Sequence, residues 1–346
     1  MRPHLLALLP DPLVALAHEH GVALRLDEAR RIVVDAHAPV GVERRRNPVA
    51  KATREAVLAL VRRDPLEVVE RATDPSDGFV KYLFRGEGGD LFEAVRIPLN
   101  APDRFTVCLS SQVGCAMACA FCATGRLGFG RHLQSWEMVS ALEQVRDEAP
   151  GRVTGAVFQG QGEPLHNYDA VMHAARVLSD PCGSRVAARN ITISTVGLVA
   201  QIRRYTAEAQ PYRLIVSLTT TQPAQRRRLL PVVSAFDFED LADALREHAR
   251  ARDEPLTLAW VLIAGVNTLD CEIERLREAF DGVPFVLNLI DVNDAREGGF
   301  ERADDAERND FLDRLRAAGI RFRRRYSGGA ARHAACGMLA ATAQRS

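Results

Sequence analysis

No apolar run in this 346-residue sequence approaches the ~20 residues that a membrane-spanning helix needs. The shape of a secretory signal is also missing, because the leucine-rich stretch at 5–9 is broken by Pro10, Asp11 and Pro12. A cytoplasmic protein without a membrane partner is therefore expected. There is no charge excess either. Lys plus Arg and Asp plus Glu number 45 each, so net charge gives no pointer to nucleic acid. Three arginine triplets, at 44–46, 226–228 and 323–325, would make one basic patch only if the fold brings them together. Low-complexity tracts and short repeats are absent. So is an even, regularly spaced cysteine set. The seven cysteines are an odd number; four lie between 108 and 122, with Cys182, Cys271 and Cys336 outside. That pattern excludes a secreted disulfide framework and points to metal or redox chemistry.

What is present is enough apolar residue, 47%, for a sizeable core in one large domain plus a smaller part. Residues 1–75 read as helical, with short helices over 13–20, 27–36 and 51–61. Runs at 79–85 and 91–97 flank the turn Gly86-Glu87-Gly88-Gly89-Asp90 and predict a β-hairpin over 76–104. From 105 onward, apolar runs at 105–109, 155–158, 191–194, 214–218, 256–263 and 285–290 alternate with helical stretches. Those stretches lie at 135–147, 168–178, 238–250, 272–280 and 304–317. This alternation predicts an α/β fold with a parallel sheet, and six units suit an open, partial (β/α)6 barrel. Catalytic groups gather at the carboxyl ends of such strands, and the informative motifs fall there.

Cys115-Ala-Met-Ala-Cys119-Ala-Phe-Cys122 places three thiols in a loop just after the first barrel strand. Three cysteines can hold a cuboidal iron–sulfur cluster and leave one iron open. Structural zinc, the rival, normally uses paired knuckles and a fourth ligand, and none stands nearby. Gly160-Gln161-Gly162-Glu163-Pro164 follows the second strand; its glycines permit close backbone approach, and its carboxylate suits an ammonium group. Ser194, Thr195 and Ser217 end the third and fourth strands, either as ligand contacts or as ordinary turn residues. Cys108 and Cys336, taken alone, read better as buried, inert thiols than as reactive ones.

These motifs together resemble the radical S-adenosylmethionine (SAM) adenine methyltransferases of ribosomal and transfer RNA, the RlmN/Cfr family. The resemblance runs from about residue 77 to 340. It rests on Leu83-Phe84-Arg85, Val107-Cys-Leu-Ser-Ser-Gln-Val-Gly-Cys115, Gly128-Phe129, Gly162-Glu163-Pro164-Leu165, Ser194-Thr195 and Ala334-Ala-Cys-Gly-Met-Leu339. It implies a small N-terminal helical domain over 1–75 with an RNA-binding role, the hairpin extension over 76–104, and a radical SAM core over 105–346. It implies a [4Fe-4S] cluster on Cys115, Cys119 and Cys122. Gly162, Glu163, Ser194, Ser217, Leu218, Thr219 and Asn293 fall at SAM-contacting positions. Cys336 matches a cysteine that takes a methyl group from one SAM before a second SAM supplies a radical. Cys108 matches the thiol that resolves the adduct as a disulfide, and Glu93 an acidic proton acceptor. The implied product is C2-methyladenosine in 23S rRNA and tRNA, made by a monomer with an electron donor such as flavodoxin or ferredoxin. An electron-poor aromatic carbon is no nucleophile, so a radical route replaces ordinary methyl transfer, with the cofactor supplying that chemistry.

The sequence also departs from the family. Ser217-Leu218-Thr219 stands where Ser-Leu-His is usual, and Val292-Asn293-Asp294 where Trp-Asn-Pro is usual; residues 295–301 differ as well. Gly-Glu-Pro-Leu favours C2 over C8. The alternatives are a paralogue that methylates C8 or another acceptor, and a metal-stabilised RNA-binding protein without activity.

Overall fold

The computed structural model describes residues 2–40, 49–232, 237–294, 296, 298–325 and 338–339. Helices α1 (Pro10–Glu19), α2 (Leu26–Ala36) and α3 (Lys51–Ala59) form the N-terminal part. They bury a core of their own, built on Leu13, Ala17, Leu24, Ile32, Val33 and Val57. A hydrogen bond of 2.6 Å from His37 Nδ1 to Glu143 ties this part to the body of the molecule.

That body is one ten-stranded sheet. Strands β1 (Glu67–Thr73), β2 (Val80–Arg85), β3 (Leu91–Pro98) and β4 (Arg104–Leu109) form an antiparallel meander. A separate two-stranded hairpin follows, β5 (Gln112–Gly114) with β6 (Phe129–His132). The sheet continues from β4 in parallel through β7 (Arg152–Phe158), β8 (Ile191–Thr195), β9 (Arg213–Ser217), β10 (Leu256–Leu262), β11 (Phe285–Asp291) and β12 (Phe322–Arg324). Helices α5 (Ser135–Asp147), α6 (Tyr168–Ser179), α7 (Val199–Ala207), α9 (Phe238–Arg252), α10 (Asp270–Ala279) and α11 (Asp305–Ala317) return the chain between strands. Two short ones, α4 (Ala123–Arg126) and α8 (Pro223–Leu229), complete the set.

All six expected barrel strands are present, and β1 and β12 lie at opposite edges, so the barrel is open. Its outer helices bury apolar stripes; α6 buries Val171, Met172, Ala174, Ala175, Val177 and Leu178. Helix periodicity and a hydrophobic sheet face are what make βα units pack in this way. The helical reading of 1–75 needs one correction. Residues 67–73 are strand β1, paired antiparallel to β2. Being an edge strand, β1 is largely exposed and polar, and it is held by charge: Arg85 Nε donates to Glu67 at 2.8 Å, and Arg71 Nε to Glu148 at 2.7 Å. The short β12 also adds a seventh parallel strand that the apolar pattern did not signal. Among the described residues, no helix is long and apolar enough to cross a membrane.

Candidate active site

The three-cysteine loop is fixed by the β5–β6 hairpin. Cys115 N donates to Gly128 O at 2.7 Å. Gly114 is at φ 70°, and a Cβ there would lie 2.0 Å from Gly128 O, so only glycine fits. Cys122 N donates to Cys119 O at 3.0 Å, and α4 starts directly after Cys122. Met117, Leu229, Leu230, Ile263 and Val292 pack around the loop, which buries Cys115 and Cys119 and leaves Cys122 half-buried. Burial pushes the Cys115 thiol up to about 12, with Cys122 and Glu163 adding to it. Cys119 is raised as well, again chiefly by burial. The six described cysteines form no disulfide among themselves. Among the described residues, no group of three His, Cys, Asp or Glu side chains could hold a metal ion. A zinc site draws its ligands onto one point, whereas a cuboidal cluster binds each cysteine to a different iron and spreads the sulfurs.

The three cysteines share one cavity of about 130 Å³ with Gly162, Glu163, Ser194, Ser217 and Asn293. These residues come from the ends of β7, β8, β9 and β11, the carboxyl edge of the sheet. The wall also carries Asp291, which lies 3.8 Å from the Arg324 guanidinium, and among the described residues no Lys, Arg or His lines it. Three thiols and the buried Glu163 carboxylate, which meets backbone N–H groups and no side-chain cation among the described residues, suit a positively charged guest, which is what an iron–sulfur core with a sulfonium ligand would provide. The donor set thus fits the implied cofactors.

Glu163 is wholly buried and spans two loops: Oε1 accepts from Leu165 N at 2.9 Å and Oε2 from Val196 N at 2.8 Å. Burial raises its carboxyl to about 7 against these bonds. Asn293 accepts a hydrogen bond from the Arg302 guanidinium. Leu218 and Thr219, by contrast, do not line the cavity. Leu218 is core; Thr219 is buried at φ 59°, an outlier for a β-branched residue, and its hydroxyl finds no hydrogen-bond partner among the described residues. Their amides turn to Ala259 O, and Asn267 Nδ2 donates to Thr219 O at 2.7 Å.

A second cavity, about 950 Å³, meets the first at Cys122, Thr124, Gln159, Gly160 and Ile290. Cys108 lines it. Glu93, Val95 and Ile97 share one face of β3, and Cys108 pairs opposite Val95, so Glu93 lies on the same face as Cys108. Glu93 is sealed from solvent, 3.1 Å from Lys81 Nζ. Burial raises its carboxyl, and Lys81 counters this. Leu339 packs with Phe79, Val95 and Cys108, and its carbonyl accepts from the Thr124 hydroxyl. Cys336 lies outside the described residues.

The mouth of the large cavity is basic. Arg213, Arg252, Arg321, Arg323, Arg324 and Arg325 line it against two carboxylates, Asp77 and Glu254. The 323–325 triplet therefore joins a patch. The 226–228 triplet does not: Arg226 is buried and donates to Leu218 O at 3.2 Å and Thr220 O at 3.1 Å, while Arg228 lies over the Phe300 ring. Residues 44–46 lie outside the described residues. Sequence reading missed Lys81 and the remaining arginines of the mouth, which no motif marks.

Comparison with known proteins matches residues 109–281 to the radical SAM superfamily. A protein of Anaeromyxobacter sp. (strain Fw109-5), named "Probable RNA methyltransferase", is 47% identical over 97% of this chain and 98% of its own. A "Probable dual-specificity RNA methyltransferase RlmN" of Synechococcus sp. is 38% identical over 80% of this chain and 79% of its own. The crystal structure of a radical SAM methyltransferase from Sphaerobacter thermophilus superposes with a TM-score of 0.88 at 34% identity, covering 97% of this chain and 99% of that one.

Proposed function

The chain belongs to the radical SAM superfamily and, within it, to the RNA methyltransferases, and from that premise we propose that it methylates C2 of adenosine in 23S rRNA and in tRNA. Membership implies a [4Fe-4S] cluster and SAM and leaves no place for a metal-stabilised binding protein without activity. The observation that carries the finer reading is the meeting of Cys115, Cys119, Cys122, Gly162, Glu163, Ser194, Ser217 and Asn293 around one cavity that opens toward Cys108.

In this reading Cys115, Cys119 and Cys122 hold the cluster, and Glu163 receives the SAM ammonium group. A cluster held there would supply the one-electron reduction of SAM, and the 5′-deoxyadenosyl fragment so formed would take a hydrogen atom from a methyl group on Cys336, leaving a carbon radical able to add to an aromatic carbon. Cys336 carries that methyl group from a first SAM and a second SAM is cleaved, giving two per turnover. Glu93 accepts the proton leaving the adenine carbon. Cys108 as thiolate then attacks the Cys336 sulfur: the S–S bond forms as the Cys336 S–C bond breaks, the released carbon takes a proton to become the methyl group, and the unpaired electron left by the addition would pass back to the group that reduced SAM. In support, Leu339, three residues from Cys336 in sequence, packs beside Cys108.

The arginine mouth supports RNA as the acceptor. Its six guanidinium groups suit a phosphate backbone, and the cavity behind it leads to the thiols. An electron donor such as flavodoxin or ferredoxin and a monomeric state complete the proposal. Anaerobic reconstitution tests the chemistry: bound iron and sulfide with SAM cleavage to 5′-deoxyadenosine are expected, and zinc without iron overturns it. Mass spectrometry of rRNA and tRNA nucleosides from a deletion strain, with and without this chain restored, identifies the nucleotide and the carbon. C8-methyladenosine or another product would replace the C2 assignment.

A further inference from the structure

Gln112 is fully buried between the SAM-type cavity and a pair of exposed histidines. Its Oε1 accepts from Glu163 N at 2.9 Å. A backbone N–H can only donate, so this bond fixes which end of the amide is oxygen. The Nε2 end then lies 3.1 Å from His132 Nδ1 and 3.1 Å from His166 Nδ1. An amide NH2 carries two protons and no lone pair to offer. Both Nδ1 atoms must therefore accept, which places the ring proton on Nε2 in each. Gln112 also presses on the neighbouring turn. A Cβ on Gly162, at φ 98°, would lie 2.6 Å from Gln112 Cβ and 2.8 Å from its Oε1. The turn that carries Gly162 and Glu163 is thus seated on one side chain whose other end is held by two imidazoles.

We propose that His132 and His166 are positioning residues: acting through Gln112 they hold the backbone of Gly162 and Glu163 in place at the SAM pocket, and the hold is released when His132 is protonated. The inference rests on the reading of that cavity as the SAM pocket. Protonation at Nδ1 sets an N–H against the amide NH2, which removes a hydrogen bond and replaces it with repulsion. The groups facing the rings do little to favour the charged form. The two rings are 5.0 Å apart and Phe129 packs on both. Arg131 donates to the His132 carbonyl at 3.1 Å and is paired with Glu137 at 2.9 Å. Burial, then the neighbouring His166, hold His132 below the ordinary histidine value. The clamp is therefore intact at and above the ordinary histidine value and is lost only as pH falls through the lower folded value of His132.

The test compares the reconstituted holoprotein with its His132→Asn/His166→Asn variant, in which an amide oxygen replaces each Nδ1 acceptor and does not titrate. SAM affinity of the wild type should fall about tenfold from pH 7.5 to 5.5, and that of the variant less than about twofold. Glu163 titrates in both proteins and cancels in the comparison. Parallel pH profiles overturn the proposal. Hydrogen exchange at the Glu163 amide, without SAM, is read alongside. Protection of that amide relative to its intrinsic exchange rate at each pH should fall on acidification only in the wild type, and equal protection in the two proteins at every pH overturns the clamp. If neither protein binds SAM at any pH, the reading of the pocket fails, and amide exchange still decides whether the histidines hold the turn.

Discussion

Lys81 Nζ lies 3.1 Å from Glu93 Oε1, and both side chains are withdrawn from solvent on the face of β2 and β3 that also carries Cys108 opposite Val95. No other hydrogen-bond donor among the described residues reaches that carboxylate. Lys81 is thus the group that favours a charged Glu93 in a place where burial alone would keep it neutral.

Removing that lysine should expose the dependence. With Lys81→Met, the Glu93 carboxyl rises further above its ordinary value. A raised acid is stable below its unfolded value and loses stability as pH climbs through the folded one. Urea unfolding of the variant should therefore show a loss of about 3 kcal/mol at pH 8, shrinking toward pH 5. The double change Lys81→Met/Glu93→Gln should restore most of it, because no buried charge is then left unpaired. Turnover at pH 7 should drop in the single variant, because less of Glu93 is ionised to accept a proton.

The hairpin that clamps the cysteine loop makes a second prediction. Gly114→Ala drives a methyl group into Gly128 O and cannot keep the Cys115 N–H bond to that carbonyl. Gly89→Ala is the matched control: its φ is also positive, 84°, but its Cβ would meet nothing within 4 Å. Iron and sulfide after anaerobic reconstitution should fall to less than about half in Gly114→Ala. Gly89→Ala should keep full iron and lose only about 1–2 kcal/mol of stability from its left-handed backbone.

Cysteine roles separate on a denaturing gel. Cys108→Ala should leave RNA covalently attached to the protein, because the thiol assigned to release it is gone. Cys336→Ala should give neither adduct nor product. Full activity in Cys336→Ala would remove the methyl-cysteine route, and turnover without adduct in Cys108→Ala would remove its resolving role.

The barrel strands were legible because β8 to β11 are short, buried, Val/Ile/Leu-rich runs between amphipathic helices. Strand β1 was not, since an exposed edge needs no apolar alternation and its glutamates and arginine read as helix. That the cysteine loop, Gly162-Glu163 and the serines at strand ends lie together was also legible, because the carboxyl edge of the sheet gathers them around one cavity. The Lys81–Glu93 pair was hidden in register. Lys81 pairs with Val95, and Glu93 is the diagonal neighbour two residues away, a contact visible only once the hairpin is aligned. The Gln112 clamp was hidden for another reason: His132 and His166 lie 20 and 54 residues from Gln112 and meet only through the β5–β6 hairpin and the turn after β7. Thr219 shows the opposite limit. Its position in a motif suggested a SAM contact, yet the backbone turns it away from the cavity.

The arginine mouth yields a prediction that separates surface charge from a binding track. Arg323 and Arg325 line the large cavity, while Arg228 belongs to a triplet of equal charge density but stacks on Phe300 outside it. If the mouth follows an RNA backbone, each lost phosphate contact reduces the slope of log affinity against log salt by about 0.7–0.9. Arg323→Ala/Arg325→Ala should therefore lower that slope by about 1.5 and weaken binding similarly for unrelated RNA sequences, because phosphates carry no sequence information. Arg228→Ala should leave the slope unchanged. Filter binding between low and moderate salt measures all three proteins, and iron content serves as the check that each is folded. An equal slope in wild type and double variant would mean that RNA does not pass the mouth. The patch would then be ordinary solvated charge, and the acceptor would have to reach Cys108 by another side of the barrel.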